Sequence, residues 1–269
     1  KMEKIIKLRE LIQKFKLDGY IVPKNNNFFG EYVTAPEDNL KYISNFTGSA
    51  GFAVILKNKN YLFIDGRYTI QAKIQSGKDY KICTIPQKYP FTIFKNKNIK
   101  LGFDPKLHTE GSLKRLFGNS KIKLKPIDQN LIDIIWKRKK NKNIKPFYLI
   151  KNKDAGANIQ VKLNTLIKII KKNKADYLFA TAPENISWLL NIRGRDTEYS
   201  PLAYAHATID KKGNVNLFCN LKKINNSFKS KLGKNVKITN FDSLPNIIQK
   251  ILKKKILVDS LTCSIFYKS

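Results

Sequence analysis

Apolar residues recur twice along this chain with the same succession of periods. Ile5, Leu8, Ile12 and Phe15 stand at helical spacing and lead into the apolar run "GYIVP" at residues 19–23. Leu163, Leu166, Ile167 and Ile170 do the same ahead of "DYLFA" at residues 176–180. A helix followed by a strand is expected at both places. Further on, "FAVILK" and "YLFI" flank Asn58-Lys59-Asn60, and "AYAHATI" and "NVNLFCN" flank residues 210–213. Both arrangements read as hairpins. "KLGFDP" (100–105) and "KILVDS" (255–260) then read as a later strand that ends in aspartate.

The same duplication is written in the residues themselves. Residues 34–48 are T-A-P-E-D-N-L-K-Y-I-S-N-F-T-G and residues 181–194 are T-A-P-E-N-I-S-W-L-L-N-I-R-G. Omitting Asp38 aligns them and sets Tyr42 opposite Trp188. Each T-A-P-E predicts a capping box, with Thr34 or Thr181 as the cap and proline in the first turn. The fold class expected is α/β: two similar domains, residues 1–140 and 141–269, each a mixed sheet flanked by helices. The lysine-rich "WKRKKNKNIKPF" (136–147) is the natural boundary. After "GFDP" the first copy continues through a helical "LKRLF" and a strand-like "KIKLKPI", whereas nine residues follow "ILVDS". The second copy is therefore expected to lack its last helix and strand, which makes the chain the N-terminal part of a longer protein. A natural product ending at Ser269 would refute that.

Composition narrows the partners. The net charge is +32, yet only six of the 52 Lys+Arg residues are arginine: Arg9, Arg67, Arg115, Arg138, Arg193 and Arg195. Base and phosphate recognition leans on the planar guanidinium fork. Here lysines are spread from end to end among asparagines, which reads as a solvated surface that binds polyanions weakly at low salt. An apolar fraction of 42%, with 16 Phe and 12 Tyr, supplies a real core. No apolar run reaches the roughly 18 residues of a membrane span. The amphipathic "KMEKIIKLRELIQKF" does not read as a signal peptide. Cys83, Cys219 and Cys263 are scattered and read as reduced thiols in a cytoplasmic protein.

Most familiar chemistry is missing. His108 and His206 are isolated, and neither belongs to a metal-binding cluster or a catalytic signature. Gly48-Ser49-Ala50-Gly51 could cradle an anion but reads better as a tight turn. His206 reads as a packing residue, and Trp188, opposite Tyr42, as core filling. "IDGR" (64–67) is different. Asp65 is expected to cap a helix "RYTIQAKI", Gly66 to permit close backbone approach, and Arg67 to lie in the first turn. A cation there opposes the helix dipole by roughly 0.3–1 kcal/mol. Two roles stand open for Arg67: an ion pair with a local carboxylate, or a grip on a ligand carboxylate or peptide carbonyl. The second copy has Cys219-Asn220-Leu221-Lys222 instead, so it cannot act in the same way.

Taken in order, "SNFTGSAGFAVI", "LFIDGRYTIQA", "LGFDP", "NLIDIIW" and "ISWLLNIRGRD" resemble the first two domains of three-domain cytosolic Xaa-Pro aminopeptidases (aminopeptidase P). The resemblance covers nearly the whole chain and implies two creatinase N-terminal-type domains. It implies that catalysis belongs to a third, C-terminal domain of pita-bread fold. There two metal ions, usually manganese, are held by Asp, Asp, His, Glu and Glu, and activate water against the bond before proline. None of those ligands can be placed here, so no catalytic residue and no metal ligand is assigned, and the chain alone is expected to be inactive. The family's peptide-contacting arginine matches Arg67, supported by Asp65 and Gly66. Arg193 and Arg195 are candidates for an interdomain seam, against an ordinary ion-pair role. The implied partners are peptides with proline second, the chain's own catalytic domain and a second copy in a homodimer, with no specific nucleic acid and no membrane. The rival readings are a non-catalytic creatinase-like module that binds peptides or proteins, and a basic nucleic-acid binder. Prolidase and creatinase are close cousins, but the duplicated region favours the aminopeptidase.

Overall fold

The computed structural model describes residues 2–118, 120–138 and 144–268. The chain divides into two units, Lys1–Lys140 with Ser264–Phe266, and Asn141–Cys263 with Tyr267–Ser269.

In the first unit, helix Met2–Lys14 turns Ile5, Leu8 and Ile12 inward at the spacing the sequence predicts. The strands are β1 (Gly19–Pro23), β2 (Gly51–Leu56), β3 (Asn60–Asp65), β4 (Lys81–Ile85), β5 (Lys100–Phe103) and β6 (Lys123–Pro126). They form one sheet in the order β4-β3-β2-β1-β5-β6. β2 and β3 pair antiparallel across a short turn and β1 pairs antiparallel with β2 across a longer, helix-bearing connection, while β1–β5, β3–β4 and β5–β6 are parallel. Both faces of the sheet are covered. Leu8, Ile12, Tyr20, Phe46, Leu131 and Ile132 fill one side, and Phe52, Phe63, Phe94 and Leu101 the other. Each fully buried side chain of this size contributes about 1.5–3 kcal/mol against chain entropy.

The second unit contains β7 (Tyr148–Leu149), β8 (Tyr177–Ala180), β9 (Ile192–Arg193), β10 (Ala205–Asp210), β11 (Val215–Cys219), β12 (Val236–Asn240) and β13 (Ile256–Val258). β7 and β9 make a small antiparallel pair, and the main sheet runs β12-β11-β10-β8-β13. β10 is antiparallel to β8 and β11, while β12 and β13 are parallel to their neighbours. Order and direction repeat β4-β3-β2-β1-β5 of the first unit. The fold is thus α/β with two mixed sheets flanked by helices.

The repetition reaches single contacts. Asp18 accepts from Lys57 Nζ and from the Lys100 amide, each at 2.9 Å. Asp176 accepts from Lys211 Nζ at 2.9 Å and the Lys255 amide at 3.3 Å. In both halves one carboxylate ties the hairpin turn to the start of the last shared strand. Lys4 Nζ donates to the Tyr42 carbonyl and lies 4.2 Å from its ring. Lys162 Nζ donates to the Trp188 carbonyl and lies 4.5 Å from that ring. Burial, and then the nearby charge of Arg193, push the Lys162 amine below its usual range.

Two expectations change, and a third holds. The capping boxes do not form. Thr34 Oγ1 bonds the Glu37 carboxylate at 2.6 Å instead, and Thr181 bonds Thr262. In the first copy the extra Asp38 accepts from the Lys41 amide and so starts a second helix, Asn39–Ser44, after a short 3-10 turn. The second copy runs as one helix, Pro183–Leu189. Trp188 is not core filling: it is 54% exposed. Tyr42, its counterpart, is covered by Trp136 stacked at 4.5 Å. His206 is a packing residue, enclosed by Phe179, Phe241 and Tyr267.

Candidate functional site

At the end of β3 the chain makes a tight turn rather than entering its helix directly. The Asp65 carboxylate accepts from the Arg67 amide at 2.9 Å, which winds Gly66–Tyr68 into a 3-10 turn. The helix begins only at Thr69 and runs to Ser76. Arg67 therefore precedes the helix, and the dipole penalty expected for it largely lapses. Its side chain folds back onto the same carboxylate, with Nε at 2.9 Å and Nη2 at 3.4 Å from the Asp65 oxygens. The guanidinium holds the Asp65 carboxyl below its usual range, and the carboxylate raises Arg67 in return. The local ion pair is the contact present in this structure. It leaves Arg67 73% exposed, so the pair is screened and open to exchange for another carboxylate or carbonyl.

Gly66 is not required by the fold. A Cβ there would meet only Thr84 Cγ2, at an ordinary 3.6 Å. Its lack of a side chain instead leaves the turn bare to solvent. At Gly48 the close approach is internal, because a Cβ would lie 2.2 Å from the Phe46 ring. Ser49 bonds the Tyr68 hydroxyl at 2.8 Å, and Tyr68 packs edge-on against Phe46. Gln71 and Gln75 both donate to the Thr47 hydroxyl. The segment is thus a braced turn that fixes the Arg67 loop.

Asp65 also borders a cleft of about 430 Å³ in the first unit. Lys24, Glu31, Ser49, Tyr89 and Arg115 are among its walls. Lys24 is neutralised by a buried pair with Asp38, whereas Arg115 is exposed. Arg115 is a candidate that motif reading misses. The rarity of arginine, the signal that singles out Arg67, would have found it. A second polar cleft of about 370 Å³ lies at the ends of β1, β5 and β6. There Asn130 donates to Asp104, whose carboxyl burial pushes above its usual range.

The second unit repeats the turn without the fork. Asn220 accepts from the Lys222 amide at 3.0 Å, closing the same 3-10 turn at Leu221–Lys223. Arg193 donates to the Ser187 and Ile192 carbonyls at 2.9 Å. That bond caps the end of helix Pro183–Leu189 rather than forming an ion pair. Arg195 is exposed. The structure does not bring Arg193 and Arg195 together with Arg67 in one unit. Among the described residues, no three His, Cys, Asp or Glu side chains form a metal-binding group. Among them no helix is long and apolar enough to cross a membrane.

Two such units, each with the same strand order, define a duplicated α/β class, and comparison places it. The family described as the creatinase/prolidase N-terminal domain matches residues 4–135, and a second description of the same domain matches residues 137–269. The chain belongs to the creatinase/prolidase N-terminal domain family, once in each half. It is 31% identical to a probable Xaa-Pro aminopeptidase P of Coprinopsis cinerea, over 95% of this chain and 44% of that protein. It is 30% identical to Xaa-Pro aminopeptidase 1 of Dictyostelium discoideum, over 96% of this chain and 44% of the relative. The crystal structure of the X-prolyl aminopeptidase of Caenorhabditis elegans, described as a cytosolic enzyme with a di-nuclear active site, superposes with a TM-score of 0.85. Identity there is 26%, over 94% of this chain and 44% of the worm chain. The chain thus spans less than half the length of the relatives it matches.

Proposed function

We propose that this chain is the N-terminal, two-domain part of a cytoplasmic, metal-dependent Xaa-Pro aminopeptidase, an enzyme that removes the residue preceding proline from a peptide's N-terminus. The observation that carries this reading is the similarity along nearly the whole chain to enzymes of that name more than twice its length. In this reading the two units flank the catalytic site, limit the size of peptides that reach it and contribute no chemical step. In this reading the two divalent metal ions, manganese by the family's habit, belong to the catalytic domain. The full-length enzyme works as a homodimer.

Arg67 is the peptide-contacting residue in this proposal. It is the exposed, fork-shaped donor on a braced turn, folded back onto Asp65 in a screened pair that another carboxylate or carbonyl can replace. In the full-length enzyme, Arg67→Ala is expected to lower kcat/KM for an X-Pro peptide roughly ten- to hundredfold, mainly through KM, as a lost charged hydrogen bond would. Unchanged kcat/KM removes Arg67 from the site. The 269-residue chain is expected to hydrolyse no X-Pro peptide with or without manganese, and metal-dependent turnover by it would overturn the non-catalytic assignment.

A further inference from the structure

The two units differ in what covers one face of the sheet. In the first, Leu8, Leu11, Tyr20 and Tyr42 lie beneath helix Leu131–Ile135 and Trp136. Tyr20 Oη accepts from the Leu131 amide at 3.4 Å, and Tyr42 Oη donates to the Ile135 carbonyl at 3.0 Å. The Trp136 ring stacks on Tyr42. The strand that leads into this helix, β6, pairs parallel with the outer edge of β5.

In the second unit the residues at the corresponding places are Leu166, Ile169, Leu178 and Trp188. They line an open, mainly apolar cavity of about 420 Å³ together with Leu257 and Val258 of β13. Ile169 is 42% exposed and Trp188 54%. β13 stands at the end of its sheet with β8 on one side. An apolar groove beside an unpaired strand edge is costly in water and invites wrong pairing.

We propose that this groove is the seat of a strand–helix segment from the natural polypeptide's own continuation past Ser269. The segment adds a parallel strand to the free edge of β13. It then lays a short helix over Leu166, Ile169 and Leu178, with apolar residues spaced like Leu131, Ile132 and Ile135. An aromatic or other flat side chain, placed like Trp136, closes over Trp188. The internal copy names the occupant, because the same floor in the first unit is covered by this device. The inference rests on the reading of the chain as part of a longer enzyme, and the matched relatives are more than twice as long.

The test uses the natural full-length polypeptide and the 269-residue chain, both carrying Trp136→Phe, with every tryptophan past Ser269 also replaced by Phe so that Trp188 is the sole tryptophan. Emission wavelength and acrylamide quenching are read over a dilution series. The longer polypeptide is expected to show blue-shifted emission and severalfold weaker quenching at every concentration, with Ile169→Glu restoring exposure. Equal quenching in both proteins overturns the proposal. If that longer polypeptide still cleaves X-Pro peptides, the functional reading stands while this one falls. Protection that appears in the shorter chain only on concentration, with a dimer's mass, assigns the groove to a second copy and overturns it too. A natural product that ends at Ser269 removes the occupant and the longer enzyme together.

Discussion

Acid should loosen the second unit through one imidazole. His206 is 1% exposed, ringed by Phe179, Phe241 and Tyr267, with Nδ1 3.0 Å from the Ala205 carbonyl. That burial pushes its pKa down to about 4 from an ordinary 6.5. The folded value is the lower one, so the unfolded chain takes up the proton first. The stability linked to His206 is complete above about pH 6.5 and drains away as pH falls towards 4. At about pH 5 the loss is about 2 kcal/mol, a substantial part of the 5–15 kcal/mol typical of a domain. The paired carboxylates Asp18 and Asp176 have lowered pKa values, so their contribution fades only below the ordinary carboxylate range, outside this window. Urea unfolding followed by circular dichroism at about pH 7.5 and about pH 5, on the parent and on His206→Gln, isolates the effect. The variant should lose less stability between the two conditions, by about 2 kcal/mol. If it loses as much as the parent, His206 does not titrate in this interval and the argument from burial fails. His108 in the first unit is likewise pushed down to about 4, but the raised carboxyl of Asp104 beside it works in the opposite sense and offsets part of its loss.

Asp18→Ala should destabilise the first unit by about 1 kcal/mol, allowing for solvent screening of its lysine, and Asp176→Ala should act in the same direction on the second. Urea midpoints check both, and no change in either would reduce the repeated carboxylate tie to ornament. Gly66→Ala should leave stability within about 1 kcal/mol or raise it, because its backbone is unstrained and space is available. Gly102→Leu should cost about 1–3 kcal/mol or more, since a Cβ there already lies 2.5 Å from Leu17 Cδ1. Thermal melts compare the two. A salt titration with a DNA duplex should show weak binding lost at physiological ionic strength, and tight, sequence-dependent binding there would contradict the solvated-surface reading of the +32 charge.

The duplication was legible because hydrophobic periods survive divergence: helix, strand and hairpin recur where the spacing says they should. The Asp65 turn was legible for a similar reason, since an Asx turn is local chemistry. What sequence could not reveal lies in contacts between distant residues. Among 46 lysines, nothing marks Lys57 and Lys100 as the partners of Asp18. The capping boxes failed because Thr34 bonds the Glu37 carboxylate side chain to side chain and Thr181 bonds the distant Thr262, choices invisible in the pattern T-A-P-E. Apolar character alone predicts burial for Trp188, but burial also needs a covering neighbour, which Tyr42 has in Trp136 and Trp188 lacks among the described residues.

Two halves with one strand order raise a hazard of misassembly, because a strand of either could enter the slot of its twin while the chain folds. Two small residues bar that exchange in one direction. Gly19 and Gly102 pair next to each other on β1 and β5, where the second half has Tyr177 and Leu257 on β8 and β13. A Cβ at Gly19 would lie 2.6 Å from Leu56 Cδ2 and 2.7 Å from the Ile55 carbonyl, and one at Gly102 would strike Leu17. Neither β8 nor β13 can occupy the first sheet without forcing it apart. Those glycines act as a steric password at the first half of a tandem duplicate, which refuses the strands of the second.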